Sequence, residues 1–126
     1  MNKGILTQNG VHLANHEYNT VKTLLDNGFD VELIPPSQIK GLHLPDVTIN
    51  GVPWEIKSPE GKSKNTIKHN LQIAKEQSTN VIIDLARCGL SEEDAINGIE
   101  REFRLSKRLR QLKIITKSKE ILDFSK

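Results

Sequence analysis

Residues 45–57 read PDVTINGVPWEIK, and the rest of the chain is organised around them. Asn50-Gly51 sits between two β-rich runs, the strongest short-range signal for a two-residue hairpin. That turn makes Ile49 face Val52, Thr48 face Pro53, Val47 face Trp54 and Asp46 face Glu55. Side chains alternate along a strand. Val47, Ile49, Val52, Trp54 and Ile56 therefore form an apolar face suited to a core, and Asp46, Glu55 and Lys57 form the other. Pro53 lacks a ladder donor and marks the place where a bulge would shift the register.

The polar face poses an electrostatic problem. Two carboxylates directly opposite one another repel. A divalent cation removes the conflict, because hard ions such as Mg2+ take oxygens from one or two carboxylates plus water. Lys57, two residues beyond Glu55, is placed to orient a water or to stabilise charge on a reacting phosphate. The alternative is a solvent-facing polar side with a Glu55–Lys57 neighbour pair, since exposed acidic residues are common. Glu17 precedes Val21, Leu24 and Leu25 by four, seven and eight positions. It shares their helical stripe, from which its carboxylate can reach the hairpin; the alternative is a helix-dipole role at the first turn.

The flanking segments read as alternating helices and strands. Asn15 to Asn27 is a helix capped by Asn15, with Tyr18, Val21, Leu24 and Leu25 as its apolar stripe and Asn27-Gly28 as its stop. Phe29 to Ile34 alternates as a half-buried strand ending at Pro35-Pro36. Ser58 to Ser63, with Pro59 and Gly61, reads as a mobile loop. The helix after it spans Asn65 to Gln77, with Asn65 and Thr66 as caps and Ile67, Leu71 and Ala74 inward. Asn80 to Ala86 (NVIIDLA) reads as a central strand buried on both faces. Ser91-Glu-Glu-Asp94 opens a helix bearing Ala95, Ile96, Ile99, Phe103 and Leu105. Leu112 to Thr116 and Glu120 to Phe124 read as two strands joined by Lys117-Ser-Lys. The order is α-β-β-β-α-β-α-β-β, an α/β or α+β fold with a mixed central sheet flanked by helices.

Composition bounds the function. The chain has 126 residues, one domain's worth, with 36% apolar and 27% charged residues. No apolar run is long enough for a membrane span or a signal peptide, and a lone Cys88 excludes a disulfide scaffold. The formal charge is only +2, yet Arg101 to Lys119 carries eight basic residues and one acidic residue. That bias suggests a polyanion-binding surface, with a solvated helix face as the alternative.

Pro45-Asp46, a short hairpin and Glu55-Ile56-Lys57 together resemble the signature of the PD-(D/E)XK metal-dependent nuclease superfamily. An upstream helix bearing Glu17 is similar to that family's first motif, and the similarity runs over about residues 14–86. It implies a restriction-endonuclease-like core acting as a single nuclease domain over residues 1–126. It also implies Glu17, Asp46 and Glu55 as ligands of Mg2+ or Mn2+, with Lys57 as the catalytic lysine. More narrowly, WEIKSPEGKSKNTIKHNLQIAKEQSTNVIIDLAR, a basic helix and the closing LKIITKSKEILDF resemble the C-terminal toxin domain of bacterial contact-dependent growth inhibition proteins. This implies cleavage of tRNA, a cognate immunity protein, and action in the cytoplasm, including that of a target cell. Similar modules occur fused to phage head proteins. A DNA endonuclease of a phage or mobile element and a non-catalytic nucleic-acid-binding module are the competing readings.

The remaining polar residues fall into place around this expectation. His12, His16, His43 and His69 match no zinc spacing and read as structural or solvent-facing, although His16 lies beside Glu17. Gln77, on a last helical turn, is a candidate to support the site by hydrogen bonding. Lys62, Lys64 and Lys68 are candidate phosphate contacts, and Cys88 lacks a base partner. Arg104, Lys107, Arg108 and Arg110 are the candidate contacts of the basic tract. Replacing these four with Gln is expected to weaken nucleic-acid binding and to flatten its salt dependence by roughly 0.7–0.9 of log–log slope per lost phosphate contact. Filter binding across a salt series checks this; an unchanged slope would return the tract to a solvated face.

Overall fold

The computed structural model describes residues 3–126. Its elements are β1 (Leu6–Thr7), α1 (Asn15–Asp26), β2 (Val31–Leu33), β3 (Val47–Ile49), β4 (Val52–Lys57), α2 (Lys64–Gln77), β5 (Asn80–Asp84), α3 (Glu92–Leu105), β6 (Gln111–Ile115) and β7 (Ile121–Ser125). The fold is a mixed α+β arrangement, with strands paired in chain order from β1 to β7. Contacts divide the chain into two compact units, one ending at Trp54 and the other beginning at Glu55. The division falls inside β4, a single continuous strand.

In the first unit β1 runs parallel to β2, and β2, β3 and the start of β4 are antiparallel. The two-residue β1 is an element that the hydropathy pattern did not reveal, being too short to show alternation. The hairpin register is the expected one: Val47 pairs Trp54, Thr48 pairs Pro53 and Ile49 pairs Val52. Asn50 and Gly51 both have positive φ, 49° and 86°, as a type I′ turn demands. Val47, Ile49 and Trp54 are buried, with Val31 and Leu33 beside them on β2. Val52, expected on the same core face, is exposed at the turn.

Helix α1 also departs from expectation in two details. Its N-cap is Ala14, whose amide donates to the Glu17 carboxylate at 3.0 Å, and Asn15 is the first helical residue. Tyr18 is exposed, and the buried face is Thr20, Val21, Thr23 and Leu24. The threonine hydroxyls donate to the carbonyls of His16 and Asn19, so these polar side chains are satisfied within the helix.

In the second unit the end of β4, β5 and β6 are mutually parallel, and β7 closes antiparallel to β6. Parallel neighbours require crossovers, which α2 and α3 supply. Ser63 caps α2 by accepting from the Asn65 amide, where Asn65 or Thr66 was expected; Ser91 caps α3 by accepting from Asp94. One core joins Ile67, Leu71 and Ala74 of α2, Ala95, Ile99 and Phe103 of α3, and Val81, Ile83, Leu112 and Ile114 of the sheet. All of β5 is buried, as its apolar run predicted. Leu105, grouped with the α3 stripe from sequence, is 71% exposed. Ile99→Ala is therefore expected to cost about 2–5 kcal/mol, and Leu105→Ala less than about 0.5 kcal/mol. Urea denaturation of the two variants checks the contrast.

Candidate functional site

The register of β4 decides where its charged residues go. Glu55 pairs with Val81 and Lys57 with Ile83 across the parallel ladder. Paired residues of adjacent strands project to the same side of a sheet. Val81 and Ile83 face the core under α2 and α3, so Glu55 and Lys57 project to that side as well. Glu55 is accordingly only 1% exposed, not part of a solvent-facing strand surface. Burying a carboxylate is costly unless it is compensated, and the Lys57 Nζ lies 3.3 Å from Glu55 Oε2.

Asp46 stands across the hairpin. Its amide donates to the Trp54 carbonyl at 3.1 Å, although the register pairs Trp54 with Val47, so this bond is one residue out of the step that would set Asp46 opposite Glu55. Ligand atoms of His43, Asp46 and Glu55 all lie within 4.8 Å of one another. His43 is exposed, Asp46 half-buried and Glu55 buried. With metal–ligand bonds of about 2.1 Å, donors around one ion sit roughly 3–4 Å apart, so these side chains need only a small adjustment to share a cation.

By spacing alone His43 reads as structural or solvent-facing, because its intervals match no zinc pattern. The useful signal is its position three residues before Asp46, with Pro45 between them. Glu17 and His16 are not in this group of donors among the described residues. The Glu17 Oε1 accepts the Ala14 amide at 3.0 Å, the helix-terminus role weighed as its alternative.

The family model described as the contact-dependent growth inhibition CdiA C-terminal domain matches residues 43–121. The chain belongs to this toxin-domain family. A solved chain from the "CdiA-CT/CdiI toxin and immunity complex from Burkholderia pseudomallei" shares its fold, with a TM-score of 0.72 at 20% identity, over 98% of this chain and 100% of that one. No curated protein matches. The span matched to the CdiA C-terminal domain contains His43, Asp46, Glu55 and Lys57 but not Glu17.

Beyond Lys57, this CdiA C-terminal domain holds its loop in place, contrary to the mobility expected for Ser58 to Ser63. The Arg87 guanidinium donates to the Ser58 hydroxyl, the Ser58 carbonyl and the Glu60 carboxylate. The Gly89 amide donates to the Gly61 carbonyl at 2.8 Å, an approach that a Cβ at Gly89 would block. Cys88 is buried beside Gly61, a structural position. Gln77 ends α2 with a buried Oε1 that has no hydrogen-bond partner. It lies three residues before Asn80, at the end of β5 where Val81 meets Glu55.

The basic residues are dispersed. Lys62, Lys64 and Lys68 are exposed around the start of α2. Arg104 is ion-paired with Glu100 at 2.5 Å, while Lys107, Arg108 and Arg110 are exposed in the segment leading to β6. Lys113 is 7% exposed and ion-paired with Asp123, so the tract from Arg101 to Lys119 is not one continuous surface.

The buried Glu55–Lys57 pair yields a stability test. Lys57→Met removes the ammonium beside a buried carboxylate and is expected to cost about 3–5 kcal/mol. Adding Glu55→Gln should recover most of that loss, because the remaining pair carries no charge. A denaturant double-mutant cycle checks the coupling.

Proposed function

We propose that this CdiA C-terminal domain is a divalent-metal-dependent nuclease of PD-(D/E)XK type, acting as one domain that cleaves RNA, with tRNA the favoured substrate. The observation that carries the reading is the meeting of Asp46 and Glu55 within the reach of one ion, with Lys57 3.3 Å from Glu55. The donor chemistry fits Mg2+ or Mn2+. A bound ion of this kind supplies Lewis-acid stabilisation of phosphate charge and makes water a better nucleophile at neutral pH.

The chain's own residues do the rest. Asp46 and Glu55 would hold the ion, and Lys57, 3.3 Å from Glu55, would stand beside it. From that position the Lys57 ammonium would orient the attacking water and offset charge on the scissile phosphate. Gln77 Oε1, buried on α2 without a hydrogen-bond partner, is an acceptor open to a water. From Glu55 onward the chain carries 15 basic against 11 acidic residues, and the earlier part 3 against 5, so phosphate contacts belong to the second unit. Exposed Lys107, Arg108 and Arg110, with Lys62, Lys64 and Lys68, are the cations available for them.

Two further supports come from the relatives. Membership of the contact-dependent growth inhibition family supports delivery to a target cell and action on nucleic acid in its cytoplasm. Among the described residues no helix is long and apolar enough to cross a membrane. The matching toxin and immunity complex supports a cognate immunity protein for this chain too.

Purified protein with Mg2+ is expected to cleave tRNA in preference to plasmid DNA. Asp46→Asn should lower cleavage by at least about 100-fold, more than loss of a supporting contact would. Glu17→Gln should keep both activity and stability, because an amide at that position still caps Ala14. Gel assays with both substrates check this: plasmid cleavage alone replaces RNA by DNA as substrate, and full activity of Asp46→Asn removes the site.

A further inference from the structure

We infer that His43 is a direct ligand of the ion, and that its imidazole makes this a mixed nitrogen–oxygen site preferring Mn2+ to Mg2+. The inference rests on the metal-dependent reading above and adds a residue and an ion preference to it. Three observations carry it. The His43 ring nitrogen is one of three donors, on three different side chains, that lie within 4.8 Å of one another. The group is graded from exposed His43 through half-buried Asp46 to buried Glu55, so the ring stands where an ion enters from solvent. The geometry is also set locally. Pro45 has a fixed φ and holds Leu44 away from helical conformations, and the Asp46 amide is already tied to the Trp54 carbonyl. His43 is thus delivered to the hairpin by a short stiff segment and not by a long loop.

The chemistry of the donors then gives the preference. Mg2+ demands near-ideal octahedral geometry, keeps its waters and favours oxygen. Imidazole is a poorer partner for it than for Mn2+, which accepts both oxygen and nitrogen donors and stands low enough in the affinity order to remain exchangeable. A neutral ring also leaves the charge balance of the site unchanged: two carboxylates, one ammonium and one divalent ion. A ring that merely hydrogen-bonded a carboxylate would position it for either ion equally. The two roles therefore differ in what losing the ring does to the two metals.

The test uses the full chain and the metal ions alone. Mn2+ and Mg2+ binding is measured by calorimetry for the wild type, His43→Ala and Asp46→Ala, and electron spin-echo spectroscopy is run on the wild type with Mn2+. The expected result is Mn2+ binding about tenfold or more tighter than Mg2+, a difference of roughly 1.4 kcal/mol. His43→Ala should weaken Mn2+ binding at least tenfold and Mg2+ binding less than threefold, and the Mn2+ spectrum should carry coupling to an imidazole nitrogen. His43 is exposed, so the variant is expected to fold. Equal weakening of both ions, no weakening, or absence of nitrogen coupling overturns the ligand role. Asp46→Ala separates this from the parent reading: it should abolish binding of both ions whatever His43 does. A wild type that binds neither ion overturns both.

Discussion

The register of the β3–β4 hairpin is the constraint on which everything else depends. Asn50 and Gly51 take positive φ, which fixes a two-residue turn and hence which residue opposes which. A slip of one residue would reverse every side chain of β4. Trp54 would then leave its core, and Glu55 and Lys57 would leave the side that α2 covers. Pro53 does not break the register, because it pairs Thr48 close to the turn, where few ladder bonds are at stake. The cost of moving the buried Trp54, with Val47 and Ile49 on the same face, out of its core is what makes the alignment unique.

The hairpin places Glu55, but the parallel ladder gives it its environment. β4 continues from an antiparallel partner, β3, to a parallel one, β5. Parallel pairing brings a crossover helix over one side of the sheet, and Glu55 lies on that side with Val81. A carboxylate on the surface of a simple hairpin would be solvated and ordinary. Under a helix it needs a cation, and Lys57 provides one at 3.3 Å. The same low-polarity setting strengthens any charge that a divalent ion or a phosphate brings to it.

Around this centre the fold separates a clasped loop from the exposed cations. The loop after Lys57 is clasped by Arg87 and by Gly89, so the strand end that carries Lys57 continues into a fixed segment. The exposed cations lie elsewhere, at the start of α2 and between α3 and β6. Lys113, although part of the basic run in sequence, serves β7 through Asp123 instead. A run of like charges along the chain is thus distributed by strand alternation and helix rotation, and only some of it faces solvent.

The sequence alone determined the hairpin and its register from Val47 to Trp54, because turn chemistry and alternation act over a few residues. It also determined α1, α2, α3, the wholly buried β5 and the closing hairpin, whose periodicities are long enough to read. The tertiary structure decided the rest. The two-residue β1 exists only because β2 offers it a ladder. Tyr18 and Leu105 are exposed because which arc of a helix is buried depends on its partner surface, not on its own apolar content. Glu17 turned to its own helix end, where an amide stands three residues away, while His43 came to the carboxylates. Spacing along the chain cannot distinguish those two outcomes, because donors converge through space, and the path of the segment before β3 is fixed only when β3 has found its neighbours.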